Sequence, residues 1–516
     1  MTDNKNPLAD FAFKNLPTEL LVEIFKHARP DNVEHAHNEE FLYPLALTQV
    51  CNYWRTVALE APTLWTNIRI MDFYTEQTQE AASMFLERSK SCPLFLTWFS
   101  KPGQTNVDAQ EVIDRLIIPY AERWQRITLI ASNEVVPDAL FAVMGPLDFP
   151  ILQDVEISCL PAQSPPPKLA LCRNAPNFRR YRLRNISSLP PLPSNLVVFD
   201  CVTREPLSPD PLLEFLPHVA HSLEHLRLGP STSEVSATSR RSKILLQNLK
   251  SLLVKDSHII VNCILTPNLI HFAVVHPPDA DAQKAAQMFN GFSAPKLQLI
   301  RFHRTPLLPL LTSHNLPSIF PQLESVVLLD CIDESAFAPL LELPQPMEPS
   351  SLQKAPKYPP KHRKVENPFP KLEELVISDV KNWTSLQAAI EKRLKNGDSS
   401  LRKIQMPKEE VPETIVQHLT RWLPKQGIEL ILYKREFPIL APPEFQDDFS
   451  NEEFRLFSDI MDELLWNGDD EHYDFDYGDD IDYHPDYENF YGEDSDYEID
   501  NDFYGDFDDE EEEYYL

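Results

Sequence analysis

The side chains in this sequence that are best placed for chemistry are basic ones at alternate positions of short apolar segments. The segment that begins at Phe178 carries Arg180, Arg182 and Arg184 at every second position. Side chains two residues apart share one face of a β-strand, so these guanidinium groups are expected side by side, where they can bind carboxylates. We therefore predict a basic surface that binds acidic substrate segments; the alternative is that exposed arginines serve only solubility. The candidate substrate-binding residues are Arg180, Arg182, Arg184, Arg227 and Arg301, with Lys255, His225, His271 and His303 beside them.

The sequence contains no arrangement typical of an active site. It lacks a phosphate-binding glycine-rich loop, a serine-nucleophile motif and a zinc-protease motif, and it has only ten glycines in 516 residues. The pairs His218/His221 and His35/His37 have no carboxylate or cysteine partners at metal-ligand spacing. The cysteines lie in or beside apolar runs, which is typical of packing and not of catalysis. We predict that the protein is not an enzyme, has no catalytic residues and no metal site, and uses no cofactor.

Helical elements near the N-terminus form the first group that could position a binding surface. Leu20, Leu21, Ile24 and Phe25 recur at helical spacing after a Leu-Pro pair, and a second helical stretch follows the polar loop. Three short helices in about 50 residues bury too little apolar surface to be stable alone, because domains of that size are marginal. We expect a partner protein or the following domain to cover the rest.

The anchor residues of this region have the order and spacing of a known family. They are Leu16-Pro17, Leu20, Ile24-Phe25, Val50-Cys51, Trp54-Arg55 and Leu64-Trp65. The region resembles an F-box, although its loop from Ala28 to Glu40 is longer and more charged than the minimal motif. The resemblance implies docking on Skp1 and, through Skp1, on a cullin-based ubiquitin ligase. It assigns the Skp1-binding surface to Leu16, Pro17, Leu20, Ile24, Phe25, Val50 and Trp54. The alternative is a helical hairpin that only caps a repeat domain.

Ten later segments share the pattern apolar-x-x-apolar-x-apolar, usually with Pro or Ser just before it. They begin at Leu152, Phe178, Leu196, Leu223, Leu249, Leu269, Leu297, Leu323, Leu372 and Leu401. All but one of the successive starts lie 18 to 29 residues apart, a spacing close to that of leucine-rich repeats. The last two apolar positions share one strand face, and stacking of the units buries that face. We predict an α/β solenoid with parallel strands and helices outside; a non-solenoid α/β domain is the alternative.

These segments resemble the irregular leucine-rich repeats of fungal F-box proteins. The Asn or Cys that normally follows the apolar pattern is missing, so we expect no asparagine ladder; the residues found there include Leu160, Ile186, Ser257 and Val380. The one long step contains a proline-rich insertion at 339–370. Its basic stretch Lys357–Lys364 is either a nuclear import signal or a solvated loop.

The acidic charge is concentrated at the C-terminus. The chain has 79 acidic and 47 basic residues, of which 31 acidic residues and one basic residue lie at 442–516, so this part carries about −30 and the rest about −2. A capping box at Ser450 predicts an amphipathic helix over 450–466, which docks on the last repeat or on a partner. Residues 467–516 are acidic and aromatic, and we predict that they are disordered. The charge difference suggests the hypothesis that this tail competes with acidic substrates for the basic surface.

These features define the predicted domains and function. The predicted domains are a flexible N-terminus 1–13, an F-box 14–70, repeats 71–441 with the insertion 339–370, a helix 450–466 and an acidic tail 467–516. No apolar run is long enough to span a membrane, and scattered cysteines without a signal segment indicate the cytoplasm, the nucleus or both. The negative charge disfavours nucleic acid as a partner. We predict a substrate-recognition adaptor of an SCF-type (Skp1–cullin–F-box) ubiquitin ligase whose repeats bind an unknown protein substrate. The alternative is a non-ligase scaffold whose acidic tail binds basic partners such as histones.

Overall fold

A computed structural model describes part of the chain. The chain divides into two compact units, Met1–Leu465 and Trp466–Leu516, and every described residue belongs to the first unit. The predicted N-terminus 1–13, most of the insertion 339–370, the helix 450–466 and the acidic tail lie outside the described residues. The described residues are 16–28, 43–70, 76–100, 110–131, 140, 147–159, 175–186, 189, 193–203, 206–232, 243–255, 258–275, 289, 292–305, 316–329, 331, 341, 369–378, 383–395, 400–408 and 411–433.

Three short helices come first in the described chain. They are α1 Thr18–His27, α2 Tyr43–Val50 and α3 Asn52–Glu60, followed by a 3₁₀ turn at Pro62–Trp65. The backbone carbonyl of Pro17 accepts the N–H of Leu21 at 3.1 Å, so the helix begins directly after the proline. The backbone of Cys51 is extended and separates α2 from α3.

Fourteen parallel strands form one sheet. They are β1 Asn67–Ile70, β2 Leu94–Ser100, β3 Trp124–Ala131, β4 Asp154–Cys159, β5 Arg180–Arg184, β6 Val198–Val202, β7 His225–Leu228, β9 Ser251–Lys255, β11 His271–Val275, β12 Leu299–His303, β13 Ser325–Leu329, β14 Glu374–Ile377, β15 Lys403–Pro407 and β16 Glu429–Tyr433. The strands lie side by side in chain order, interrupted only where β8 Ile244–Leu245 and β10 Ile264–Leu265 pair separately. Each strand of this sheet pairs with the next strand of the series, which is the arrangement of a solenoid.

Further helices and helical turns connect the strands. The α-helices are α4 Glu76–Arg88, α5 Pro209–Val219, α6 His258–Cys263, α7 Leu316–Ile319, α8 Trp383–Lys395 and α9 Glu413–Trp422. The described residues also form a π-helical turn at Ile113–Ile117 and 3₁₀ turns at Ile118–Arg123 and Leu423–Gln426. Among the described residues, no helix has the length and apolar character needed to cross a membrane.

The apolar pattern of the ten segments defines the core. Every one of its thirty designated positions is buried, with 3% or less of the residue exposed. In β5, for example, Tyr181 and Leu183 point into the core, whereas the arginines between them occupy the other side of the sheet, here called the second face. This alternation confirms the predicted α/β fold with a helical N-terminus and a parallel, solenoid-like sheet.

A proline turn precedes six of the described strands. The N–H of the first apolar residue donates to the carbonyl three residues earlier, at 3.1 Å for Phe178 and 3.2 Å for Leu269. Proline occupies the second position of such turns, where its fixed φ is favourable. The prolines at that position are Pro150, Pro176, Pro267, Pro295, Pro321 and Pro370. The frequent prolines are therefore part of the repeat and do not interrupt it.

An asparagine ladder that the sequence analysis did not predict is present, at a different position of the repeat from the one considered there. The ladder runs through the turns before the strands instead of following them. Asn177 donates to the carbonyl of Pro150 at 2.6 Å, and Asn195 donates to that of Pro176 at 2.8 Å. Asn248 and Asn268 make the same bond two and three repeats further on, at 2.6 and 2.8 Å. Each amide ties its turn to the turn of the preceding repeat, which stabilises the stacking.

The sheet begins inside the segment that the sequence assigned to the F-box. The Trp65 indole N–H donates to the carbonyl of Ala58 at 2.8 Å, and its ring packs edge-to-face on Phe85, at 5.0 Å between ring centroids. One residue later the carbonyl of Thr66 accepts the N–H of Phe95, at 3.0 Å. The N-terminal helices and the first strands thus share one core.

Candidate functional site

Helix α1 divides its apolar residues between the core and the surface. Leu21 and Phe25 are 0% and 1% exposed, whereas Leu20 and Ile24 are 53% and 43% exposed. Residues four apart lie on the same side of a helix, so Leu20 and Ile24 form one exposed apolar stripe. Val50, at the end of α2, is 59% exposed. We call these three exposed residues the apolar face.

Hydrogen bonds to the backbone hold the helices that carry this face. The Tyr53 hydroxyl donates to the carbonyl of Leu16 at 3.0 Å and ties α3 to the start of α1. The Tyr43 hydroxyl donates to the carbonyl of Phe25 at 2.8 Å and ties α2 to its end. Both ends of α1 are therefore fixed against the neighbouring helices.

The structure separates the seven residues predicted to bind Skp1. Pro17, Leu20, Ile24 and Val50 are exposed, and Leu16 and Trp54 are half-buried. Phe25 is buried, and its ring packs edge-to-face on Trp54 at 4.8 Å between ring centroids. Its role is to support the surface from beneath.

A second candidate site lies on the second face of β3 to β7. The strand register places Glu156, Arg182, Asp200 and Arg227 directly beside one another, on β4, β5, β6 and β7. Side chains on neighbouring strands lie about 5 Å apart, so these charges alternate in sign along one row. The row continues through Leu253 and beyond.

Arg184 and Asp200 form the most buried ion pair of this site. Their side chains are 2% and 1% exposed, and the guanidinium meets the carboxylate with two hydrogen bonds, one of them 2.6 Å between Nη1 and Oδ1. Arg227 approaches the same carboxylate, with 3.8 Å between Nε and Oδ1. Such two-bond contacts fix geometry as well as charge.

Two more carboxylates hold the remaining arginines of β5. Arg182 lies 3.5 Å from Glu156, and Arg180 lies 3.7 Å from Asp154. Arg126, on β3, reaches Asp154 from the other side at 3.2 Å. We call the five arginines and three carboxylates of these strands the charged cluster; its members are Arg126, Asp154, Glu156, Arg180, Arg182, Arg184, Asp200 and Arg227.

The surrounding charges change the titration of the cluster. Burial alone would raise the pKa of the Asp200 carboxyl, but Arg184 and Arg227 outweigh it and hold that pKa below its ordinary value. Burial lowers the pKa of Arg227 to about 10, against the attraction of Asp200 and together with the like charges of Arg184 and Arg182. The Asp200 carboxyl therefore remains ionised at neutral pH.

Of the five predicted substrate-binding arginines, the structure brings four together. Arg180, Arg182, Arg184 and Arg227 belong to the charged cluster, whereas Arg301 lies on β12 in the same row as Arg227, three strands away. The surface is mixed in sign around β5, and the sequence analysis missed the three carboxylates. Asp200 holds the same repeat position as Arg182 and Arg227, and this shared position was the signal that could have revealed it.

The described cysteines and histidines offer no catalytic arrangement. Burial raises the pKa of the Cys201 thiol to about 12, so it is protonated and unreactive. Among the described residues, no group of three or more potential ligands could hold a metal ion.

Comparison with known proteins identifies the N-terminal domain. Residues 13–71 match the family model described as F-box-like. No curated protein matches the chain significantly in sequence. Among solved structures, the chain is similar to one described as the crystal structure of the Rad7 and Elc1 complex in yeast, at 12% sequence identity and a TM-score of 0.32, over 82% of this chain and 89% of that chain. Residues 13–71 are therefore an F-box-like domain, as the anchor residues predicted.

Proposed function

We propose that the protein is a substrate-recognition adaptor of an SCF-type ubiquitin ligase. The F-box-like domain binds Skp1, and Skp1 connects it to a cullin. The sheet binds the protein substrate, so the adaptor itself makes and breaks no bond. It acts by holding the substrate close to a recruited ubiquitin-conjugating enzyme, which raises the effective concentration of target lysines.

The observation that carries this proposal is the apolar face within residues 13–71. Leu20, Ile24 and Val50 together expose apolar area at the surface of a small helical domain. Complete burial of one such side chain contributes about 1.5–3 kcal/mol, so a partner that covers all three gains a substantial part of its affinity there. The buried pair Leu21 and Phe25 keeps the helix in place while the face is exposed.

Capture of the full chain by purified Skp1 tests the proposal. The Leu20→Asp/Ile24→Asp variant should lose at least about 100-fold in affinity, because each tenfold loss corresponds to about 1.4 kcal/mol. The matched control is Ile118→Asp/Leu245→Asp, since these residues are 38% and 44% exposed and lie outside the F-box-like domain. The control should bind Skp1 as the wild type does. Equal Skp1 affinity in all three proteins, or none in the wild type, would contradict the proposal.

The absence of Skp1 binding would favour the scaffold alternative. In that case partners captured by the full chain should be the same for wild type and the Leu20→Asp/Ile24→Asp variant. Under the adaptor proposal, affinity purification with the proteasome blocked should recover cullin with the wild type but not with the variant. The same purification should recover the substrate with both the wild type and the variant.

A further inference from the structure

The two ends of the sheet are covered to different degrees. On β1, the first strand, the inward-facing Ile68 and Ile70 are 0% and 3% exposed and share the core of the N-terminal helices. On β16, the last strand, Leu430 and Leu432 pack against the same core but are only half-buried. The terminal repeats of a solenoid need a cover, because they otherwise expose the core that stacking buries elsewhere. Within the described residues, the C-terminal end is covered incompletely.

The neighbouring strand shows what β16 lacks. The register pairs Leu430 with Ile404 and Leu432 with Met406, and both of these residues of β15 are 0% exposed. The paired residues differ in that β15 has a strand on each side, whereas the described chain gives β16 a neighbour only on the side of β15. The exposure of the two leucines therefore marks the place of one further covering element.

Helix α9 is also covered less completely than the helix of the preceding repeat. It buries a single residue, whereas α8 buries five. Three apolar residues of α9 pack against the core but remain half-buried, as do the two leucines of β16. We call these five residues the C-terminal end surface; its members are Ile415, Val416, Trp422, Leu430 and Leu432.

The backbone of β16 has an outer edge as well. The N–H of Glu429 donates to the carbonyl of Arg402 at 2.8 Å, on the side of β15. Successive residues of a strand direct their backbone groups to opposite edges, so the groups of Leu430 and Leu432 face away from β15. The sheet has no strand there within the described chain. Such an edge can pair with another chain unless a helix or loop covers it.

We propose that residues 450–465 form a helix that docks on the C-terminal end surface of the same chain. The segment starts at the capping box of Ser450 and carries one apolar stripe at helical spacing. The stripe residues are Phe454, Phe457, Ile460, Met461 and Leu464. A short helix gains most of its stability from packing of its apolar face, and the end surface provides apolar residues for that packing. The proposal does not depend on the adaptor function, because β16 and β1 lie at opposite ends of the sheet.

The position of the segment in the chain favours it over a separate partner. The last described residue, Tyr433, belongs to the edge strand itself, and residues 434–449 connect it to Ser450. A flexible linker of that length spans roughly 20–25 Å, which is enough to return from β16 to α9. Such a short linker gives an effective concentration of about millimolar, which a partner in solution must exceed to compete.

Other occupants of this end fit less well. Residues 434–449 include Pro438, Pro442 and Pro443, which have no N–H to donate to a further strand of the sheet. A second copy of the chain can pair edge to edge with β16, but it has no linker that raises its effective concentration. Because pairing of two copies depends on protein concentration and docking within one chain does not, the two are separable by experiment.

Hydrogen exchange of the full chain, measured by mass spectrometry, tests the docking. Amides of 450–465 should exchange at least about tenfold more slowly in the wild type than in the Phe457→Asp/Met461→Asp variant, because charges on the stripe prevent its burial. Exchange in β16 should become faster in the same variant. The amides of β15 should not change, which shows that the repeats of the variant are still folded.

The matched control is Arg455→Asp. It makes the chain more negative by two charges, as the double variant does, but position 455 lies off the apolar stripe. Its exchange rates in 450–465 and in β16 should stay within about twofold of wild type. Equal acceleration in the control and the double variant, or no acceleration in the double variant, would overturn the proposal.

Photo-cross-linking identifies the surface that the segment contacts. A benzoylphenylalanine placed at position 457 of the full chain should cross-link to α9 or β16 of the same chain. Cross-links to other parts of that chain would overturn the assigned surface. Cross-links between two chains, or protection of 450–465 that rises with protein concentration, would identify a second copy as the occupant and overturn the choice of the chain's own segment.

Discussion

On α1, Leu20 and Ile24 are about half exposed, whereas on β5 and β6 the charged groups of Arg184 and Asp200 are almost completely buried. Each region departs from the usual rule that apolar groups are inside and charges outside. In the charged cluster the chain itself compensates the buried charges, because every buried carboxylate there faces at least one arginine. The apolar face, by contrast, is left exposed by the described residues.

The difference separates a structural feature from a binding feature. A buried ion pair costs desolvation energy and contributes little net stability, but it fixes which groups must lie opposite each other. We infer that the charged cluster secures the register of β4 to β7. An exposed apolar stripe fixes nothing inside the fold and becomes favourable only when a partner covers it.

The largest expected effect comes from removing the central carboxylate. Asp200→Asn leaves Arg184 buried opposite a neutral group and should lower the free energy of unfolding by about 3–5 kcal/mol. Urea denaturation followed by circular dichroism measures this change. The Arg184→Met/Asp200→Leu variant should lose much less, because neither of the two buried charges remains. If Asp200→Asn lowers the free energy of unfolding by less than about 1 kcal/mol, the cluster has no structural role.

The next effect distinguishes two neighbouring leucines of α1. Leu21→Ala should destabilise the N-terminal helices by about 2–5 kcal/mol, because it opens a cavity in the core. Leu20→Ala should change stability by no more than about 0.5 kcal/mol, since the side chain is half exposed. Hydrogen exchange of the α1 amides reports on both. Similar protection losses in the two variants would contradict the assigned orientation of α1.

A smaller effect is the dependence of stability on acid. The pKa of Asp200 is held below its ordinary value of 3.8 in the folded chain, so the folded state is stabilised at higher pH by the ionised carboxylate. That contribution should be lost as pH falls below about 3.8 towards the lower folded pKa. Urea midpoints measured across this range should fall more steeply for wild type than for Asp200→Asn. Parallel curves would show that Asp200 contributes no such linkage.

The smallest effect concerns the asparagine ladder. Asn248→Ala removes one exposed side-chain bond to the carbonyl of His221 and should cost about 0.5–1.5 kcal/mol. Thermal unfolding measures it, with Gln247→Ala as a neighbouring control whose side chain has no assigned bond in the ladder. An Asn248→Ala variant as stable as this control would show that the ladder is dispensable.

The strands could be predicted because their signal is local. In each repeat the spacing of three apolar residues, such as Leu249, Leu252 and Val254, specifies a turn followed by one buried strand face. The same pattern occurs at Trp124, Ile127 and Leu129 of β3, before the first of the ten segments. Periodicity within one segment was sufficient for this level of structure.

The candidate sites were harder to predict because they depend on neighbours distant in sequence. Leu20 and Leu21 are chemically identical, and only the packing of α3 against α1 decides which of them faces outward. Asp200 meets Arg184 only through the register of β5 with β6. A pattern within one strand contains no information on that register.

The single residue between Trp65 and β1 has a mechanical consequence. Thr66 already bonds to β2, and the N-terminal helices share their core with the first strands, so no hinge separates the helices from the sheet. A protein bound to α1 and a second protein bound to the sheet at β9 would therefore keep a constant distance and angle. β9 lies seven strand spacings from β1, or roughly 34 Å at about 4.8 Å each. The number of intervening repeats therefore sets the distance between the two binding positions. Each inserted repeat would increase that distance by one strand spacing.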